Sequence, residues 1–393
     1  MNFNSLLEKY TAELLDRTIP FWLTYGLDRN HGGICTCISD QGQVLSTDKY
    51  MWSQLRAIWT FSALYNHIER RKEYRDAAEQ IFEFVARYGR DEHGNWQFLV
   101  SQDGRALTGA TSIYADAFAI YGFTEFARAT GNHQAVRLAM ETYGNVQRKL
   151  AQPGSYPTDP LPIPPGAKAH GISMIFSLVF AELGEFLNDP AIVDAGVRHA
   201  DEVMDVYRRP ESRRLYEFVR LDNSLMETPP GCTVNPGHAI ESMWFMIHIY
   251  QRKHDTARIQ QAIETIRWHL ELGWDAEYGG IVLARDAAGS HWEAFPDAKI
   301  WWPHTEALYA LLLAHSISGE DWCLEWFERV DDYAFSHFPV PHYGEWIQNL
   351  DRQGHKMNAT PGLPVKDPFH LSRALINSIV VLKRLAKDAA ARK

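Results

Sequence analysis

The chain has 393 residues of ordinary globular composition, 46% apolar and 22% charged. Lys plus Arg number 39 against 49 Asp plus Glu, a net charge of −10, and no basic run offsets it, which argues against a nucleic-acid partner. Four cysteines (Cys35, Cys37, Cys232, Cys323) are too few for a disulfide framework, and with His31 nearby they match no common zinc spacing. Residues 1–9 show no charged-then-apolar signal pattern, and no apolar stretch is expected to reach membrane-spanning length. The expected compartment is therefore the cytoplasm.

In chain order, apolar periodicity predicts helices near 4–24, 49–69, 72–89, 111–130, 133–149, 169–187, 190–207, 236–253, 256–273, 300–318, 320–337 and 369–388. Short β-rich runs ending in Asp/Gly turns recur between them. They are His31-Gly-Gly-Ile-Cys-Thr-Cys-Ile, Gly94-Asn-Trp-Gln-Phe-Leu-Val, Leu215-Tyr-Glu-Phe-Val, Tyr278-Gly-Gly-Ile-Val-Leu-Ala and Tyr343-Gly-Glu-Trp-Ile-Gln-Asn-Leu. Gly33, Gly280 and Glu345 hold like places in their copies, and Gly280 lies 65 residues before Glu345. Where one more copy is due, residues 152–165 are Pro-rich and carry no strand signal.

Six such units fill the chain. Self-similarity at a fixed period means stacked copies of one supersecondary unit. Twelve helices in six pairs predict an all-α fold, an (α/α)6 barrel with short β-hairpins between helix pairs, as one domain over 1–393. An open solenoid would need polar capping repeats at its ends, and none is present.

The unusual polar residues recur in the early turns of the even-numbered helices: Arg56, Asp116, His170, His238 with Glu241, His304 with Glu306, and His370 with Arg373. Aromatic residues accompany them, including Trp52, Trp302 and Phe369. If these helices form the inner ring, the set converges on one mouth of the barrel, a concave site with few polar groups. Singly, each has a structural explanation as a cap or an ion-pair partner. At 232–245, Asn235 is the expected N-cap and Pro236 the first helical residue, which puts His238 and Glu241 on one face of the first turn.

The run Thr47-Asp-Lys-Tyr-Met-Trp-Ser-Gln-Leu-Arg56-Ala-Ile-Trp resembles the first signature of the N-acylglucosamine 2-epimerase family, and Asn235-Pro-Gly-His238-Ala-Ile-Glu241-Ser-Met-Trp-Phe the second. Lys299-Ile-Trp-Trp-Pro-His304-Thr-Glu306, Tyr343-Gly-Glu-Trp and Phe369-His370-Leu-Ser-Arg373 resemble the rest, in the family's order. The resemblance implies an (α/α)6 barrel and a sugar 2-epimerase, or an aldose–ketose isomerase, with His238 and His370 as acid/base groups. It places Arg56 near the reacting oxygens and Glu241, His304, Glu306 and Arg373 in the pocket. Two departures bear on specificity. Thr360-Pro-Gly-Leu-Pro-Val-Lys-Asp-Pro replaces a Gly-Gly-Lys-like segment of the acylglucosamine enzymes, and His170 replaces an apolar residue. Acyl-sugar specificity and nucleotide activation are therefore not carried over.

Inverting C2 of an aldose requires ring opening, removal of the C2 proton to an enediolate, and reprotonation on the other face. Two histidines near neutral pKa suit this. On this reading Glu241 orients His238 or holds a hydroxyl, His304 with Glu306 assists ring opening, and Trp52, Trp302 and Phe369 stack on the sugar. No metal and no cofactor is required. The expected partners are a sugar and a second copy of the chain in a homodimer, with neither nucleic acid nor membrane. A glycoside hydrolase would need two free carboxylates, drawn from Asp116, Glu241 and Glu306. A non-enzymatic binding protein is the remaining alternative.

Overall fold

The computed structural model describes residues 1–152, 154, 156–357 and 366–391. Residues 360–365 of the departing segment, and Pro153 and Ser155 of the Pro-rich run, lie outside the described residues.

Helix α1 (Phe3–Ala12) continues through π-helical Glu13–Thr18, the turn Ile19–Phe21 and π-helical Trp22–Gly26. Pro20 has no N–H for the regular ladder, so the wider turns around it are the expected accommodation. The pairs that follow are α2 (Met51–Ala63) with α3 (Lys72–Tyr88), α4 (Ile113–Thr130) with α5 (His133–Leu150), and α6 (His170–Leu187) with α7 (Pro190–Glu202). Next come α8 (Pro236–Arg252) with α9 (Thr256–Gly273), α10 (Trp301–Ser318) with α11 (Asp321–His337), and finally α12 (His370–Ala391), which packs on α1. The expected twelve helices are thus present among the described residues.

The even helices form the inner ring, each packed on the next, from α2 through α12 and back to α2. Their sequences explain this placement. Ile113 to Ala127 of α4 is buried without a break, as an all-round apolar helix must be. By contrast α3 buries one stripe only, Tyr74, Ala77, Ala78, Ile81, Phe82, Phe84 and Val85, so it lies outside. Helix α6 departs from expectation. It is long and apolar enough to cross a bilayer, but 78% of that window is buried inside the protein, where neighbouring helices meet its apolar surface.

The rim above the inner helices is stitched by short antiparallel pairings. The residue leading into each inner helix bonds to a piece of the next unit: Lys49 to Val100, Ser112 to Thr158, Ala169 to Phe218, Val234 to Arg285, and Lys299 to Leu350. The sixth stitch closes the ring, with Lys366 N–H donating to the Thr36 carbonyl at 2.7 Å. An open solenoid has no such closure. Two strand expectations change here. The Pro-rich region does take part, through the bridge at Thr158 and the strand Ala167–Ala169. The run from Tyr278 makes only isolated bridges at Ile281 and Val282.

Two rim corners also hold a buried ion pair: Lys49 with Asp28 at 2.9 Å, and Lys299 with Asp275 at 3.2 Å. The like placement of Gly33, Gly280 and Glu345 holds, since the bridges Leu27–Ile34, Trp274–Ile281 and Pro339–Trp346 follow them in register. Gly280, at φ +79°, is obligatory, because a Cβ there would lie 2.6 Å from the Tyr333 ring.

Candidate active site

The inner helices begin around a cavity of about 400 Å³, within the roughly 300–1,000 Å³ of small-molecule pockets. Among the residues that line it are Trp52, Arg56, His238, Glu241, Trp302, Phe369, His370 and Arg373. Eight expected residues, from four inner helices and the residue preceding α12, therefore do converge.

Asn235 caps α8 by accepting the His238 N–H at 3.0 Å, with Pro236 at the first helical position. This fixes the first turn and sets His238 against the cavity. Its Nδ1 lies 3.2 Å from both oxygens of Glu217. Glu217 is not among the residues expected from the sequence. Its backbone joins two inner helices, accepting from His170 N–H at 2.9 Å and donating to the Thr233 carbonyl at 3.0 Å. Burial pulls the His238 pKa down, but the charge and hydrogen bond of Glu217 outweigh it, and the net shift is upward. Glu217, although buried, is held well below the usual carboxylate range, mainly by His238.

His370 opens α12 and repeats the arrangement with the opposite electrostatic result. Its Nδ1 is 2.8 Å from Glu306 Oε1, which also accepts from Arg373 at 2.8 Å, while Glu306 Oε2 accepts from Trp244 Nε1 at 2.9 Å. Arg373 donates to Glu241 as well. Glu306 is thus already neutralised, and burial together with the nearby Arg56 guanidinium pushes His370 well below the ordinary histidine range. Both rings spend Nδ1 on a buried glutamate, and among the described residues no protein group bonds either Nε2. Trp302 adjoins both, with ring centroids 5.0 Å from His238 and 5.6 Å from His370. The pair thus combines a His238 whose pKa is raised with a His370 whose pKa is lowered, environments set apart in the manner of an acid and a base.

The Arg56 guanidinium is caged by Trp52, Phe118 and Phe369, at 4.7, 4.2 and 4.8 Å from their ring centroids. Donor atoms of Glu241, Glu306 and His370 come within 4.8 Å of one another, a spacing a metal could use. Arg373 already bonds both carboxylates, however, so the chain supplies its own cation there.

Several expected roles move. Glu217, not Glu241, orients His238, and Glu241 holds Arg373. Glu306 lies behind His370 rather than against the cavity. His170 is also one layer back, with Nε2 2.5 Å from Ser242 Oγ and Nδ1 3.8 Å from Glu217. Asp116 points away and pairs with Lys149 at 2.8 Å.

His304 is excluded from ring opening, since both its nitrogens are occupied. Nδ1–H donates to the Ile300 carbonyl at 2.7 Å and Nε2 accepts the Ile281 N–H at 2.8 Å. Burial pushes its pKa down to about 3. Gln54 does the same task one third of the ring away, accepting the Ile34 N–H at 2.8 Å and donating to the Ile34 carbonyl at 2.7 Å. His304→Gln is therefore expected to keep turnover within a few-fold of wild type and to lower thermal stability; a loss of orders of magnitude in kcat would restore a chemical role.

Fold and site together define an (α/α)6-barrel protein with a paired-histidine cavity of the kind used for proton transfer. The family model for N-acylglucosamine 2-epimerase (GlcNAc 2-epimerase) matches residues 32–374, and the chain belongs to that family. N-acylglucosamine 2-epimerase of Bos taurus is 31% identical over 377 residues, covering 93% of this chain and 88% of the relative. Among solved structures, cellobiose 2-epimerase from Bacillus thermoamylovorans superposes with a TM-score of 0.83 at 19% identity, covering 96% of this chain and 99% of its own. A D-mannose isomerase superposes at 0.79 and 16% identity, with 97% of each chain covered.

Proposed function

We propose that the chain is a sugar 2-epimerase acting on the open-chain form of N-acylglucosamine and N-acylmannosamine, or of glucose and mannose. The observation that carries this reading is the pair of histidine–glutamate dyads, Glu217–His238 and Glu306–His370, bordering one cavity with opposite pKa shifts. His370 is neutral and acts as the base that takes the C2 proton through Nε2. His238 is protonated and delivers a proton to the other face of the enediolate. Arg56, fixed by its aromatic cage, stabilises the negative charge that develops on the C1 oxygen, a kind of contact worth roughly 3–4 kcal/mol. Trp52, Trp302 and Phe369 give the apolar walls on which a sugar face packs. The cycle moves only protons, so it calls for neither metal nor cofactor. A cytoplasmic homodimer is the setting consistent with this reading.

The same enediolate protonated at C1 gives a ketose, so an aldose–ketose isomerase is the second reading. The hydrolase reading loses its residues. Glu241 and Glu306 share Arg373, and Asp116 pairs with Lys149, so none of these three is free to act across a cleavable bond. Incubation with N-acetylglucosamine, mannose and cellobiose in deuterated water tests the proposal. The expected product is a C2 epimer carrying deuterium at C2. A ketose product would replace it with the second reading, and no product from any sugar would leave a binding protein.

A further inference from the structure

Asp367 borders the cavity three residues before His370, in a segment clamped on both sides. Lys366 is held by Asp40 at 2.5 Å and by the Trp346 carbonyl at 3.0 Å, while the Pro368 carbonyl accepts from Thr60 Oγ1 at 2.7 Å. The carboxylate itself is used on one side only. Oδ2 accepts from Ser53 Oγ at 3.2 Å and from Arg56 Nη1 at 3.3 Å, whereas Oδ1 is buried without any hydrogen-bond partner. A buried, unbonded carboxylate oxygen is costly. This one belongs to a side chain that borders the cavity beside the guanidinium that the proposed reaction uses.

We propose that Asp367 is a specificity-determining residue, whose Oδ1 accepts a hydrogen bond from a sugar hydroxyl beyond the reacting C1–C2 unit while Oδ2 positions Arg56. This rests on the epimerase reading above, and it assigns a role to a residue for which the chemistry at C2 has no use. Arg56 and Asp367 then act as one donor–acceptor unit: the guanidinium meets the developing oxyanion, and the carboxylate reads the chain. A site built to bond a hydroxyl discriminates strongly against the analogue that lacks it.

The test is a cycle of kcat/KM values for the best monosaccharide substrate and its 3-, 4- and 6-deoxy analogues, with wild type and Asp367→Ala. Wild type is expected to lose roughly tenfold or more on one of the analogues, and Asp367→Ala to treat that analogue and the parent sugar alike. Asp367→Asn, which keeps an acceptor for Ser53 and Arg56, replaces it if the alanine variant does not fold, with the same penalty reduced. The assignment is overturned if the variant retains the full wild-type penalty, or if wild type shows no penalty on any of the three. Wild-type turnover of the parent sugar judges the epimerase reading, and the ratio judges Asp367.

Discussion

His370→Gln is expected to lower kcat by about 10²–10⁴-fold while leaving the fold in place. The ring is 8% exposed and its Nδ1 bond to Glu306 is the contact most at risk, but a glutamine amide reaches a similar place and can donate to that carboxylate. What it cannot do is accept a proton. His238→Gln should lose activity on the same scale for the complementary reason, since an amide has no proton to deliver. The pH dependence follows from the two shifts. As pH falls, His370 is lost as a base only when it protonates, and its lowered pKa delays this to well below the usual histidine range. As pH rises, His238 is lost as an acid when it deprotonates, and its raised pKa delays this to above the ordinary value. The active window for a turnover started by His370 lies between. Glu217→Gln removes the charge that raises His238, so its alkaline limb should move to lower pH with the acid limb unmoved. An alkaline limb that stays in place would show that Glu217 does not control His238.

Arg373→Met is the substitution expected to cost the most stability. The side chain is 1% exposed and bonds Glu241 and Glu306, both buried. Removing one partner from a buried charge cluster strands the others, at a cost of about 3–5 kcal/mol. The guanidinium also packs over Phe369 at 4.5 Å and Trp244 at 5.0 Å, contacts that the methionine only partly replaces. A lowered urea midpoint with an unchanged denaturant slope would measure this. Arg373→Lys keeps the charge but not the two-pronged donor geometry, so it should recover part of the loss. A midpoint unchanged by Arg373→Met would mean that Glu241 and Glu306 find other partners.

Helices and ring order are legible in the sequence because apolar residues recur at helical spacing and polar ones mark one end of every second helix. The cap at Asn235 and the aromatic wall of Trp52, Trp302 and Phe369 follow from the same pattern. Depth within that end does not. Gln54 and His304 stand at like places in their repeats and turn back to bond rim backbone, whereas His238 and His370, nearer their helix starts, border the cavity. Periodicity marks a first turn as polar; it does not say whether a side chain meets the cavity or the rim.

Glu217 and Asp367 escaped for another reason, since neither is on a helix. The first is marked by its place among the rim pieces. Glu217 and Gln348 hold matching places, with their carbonyls accepting from the first N–H of α6 and of α10. A carboxylate there, between buried Leu215 and Val219, is out of place in a purely structural strand. The membrane-length apolar character of α6 is masked by its few polar residues, which interrupt the run without lowering its mean hydropathy enough.

In the proposed mechanism His370 and His238 serve opposite faces of C2. Solvent deuterium exchange at C2, followed by NMR for each epimer separately in His370→Gln and His238→Gln, tests it most directly. Each variant is expected to fail to interconvert the epimers yet still to exchange the C2 hydrogen of one of them, a different one in each variant. Exchange of both epimers by a single variant, or continued interconversion without one of the histidines, would contradict it.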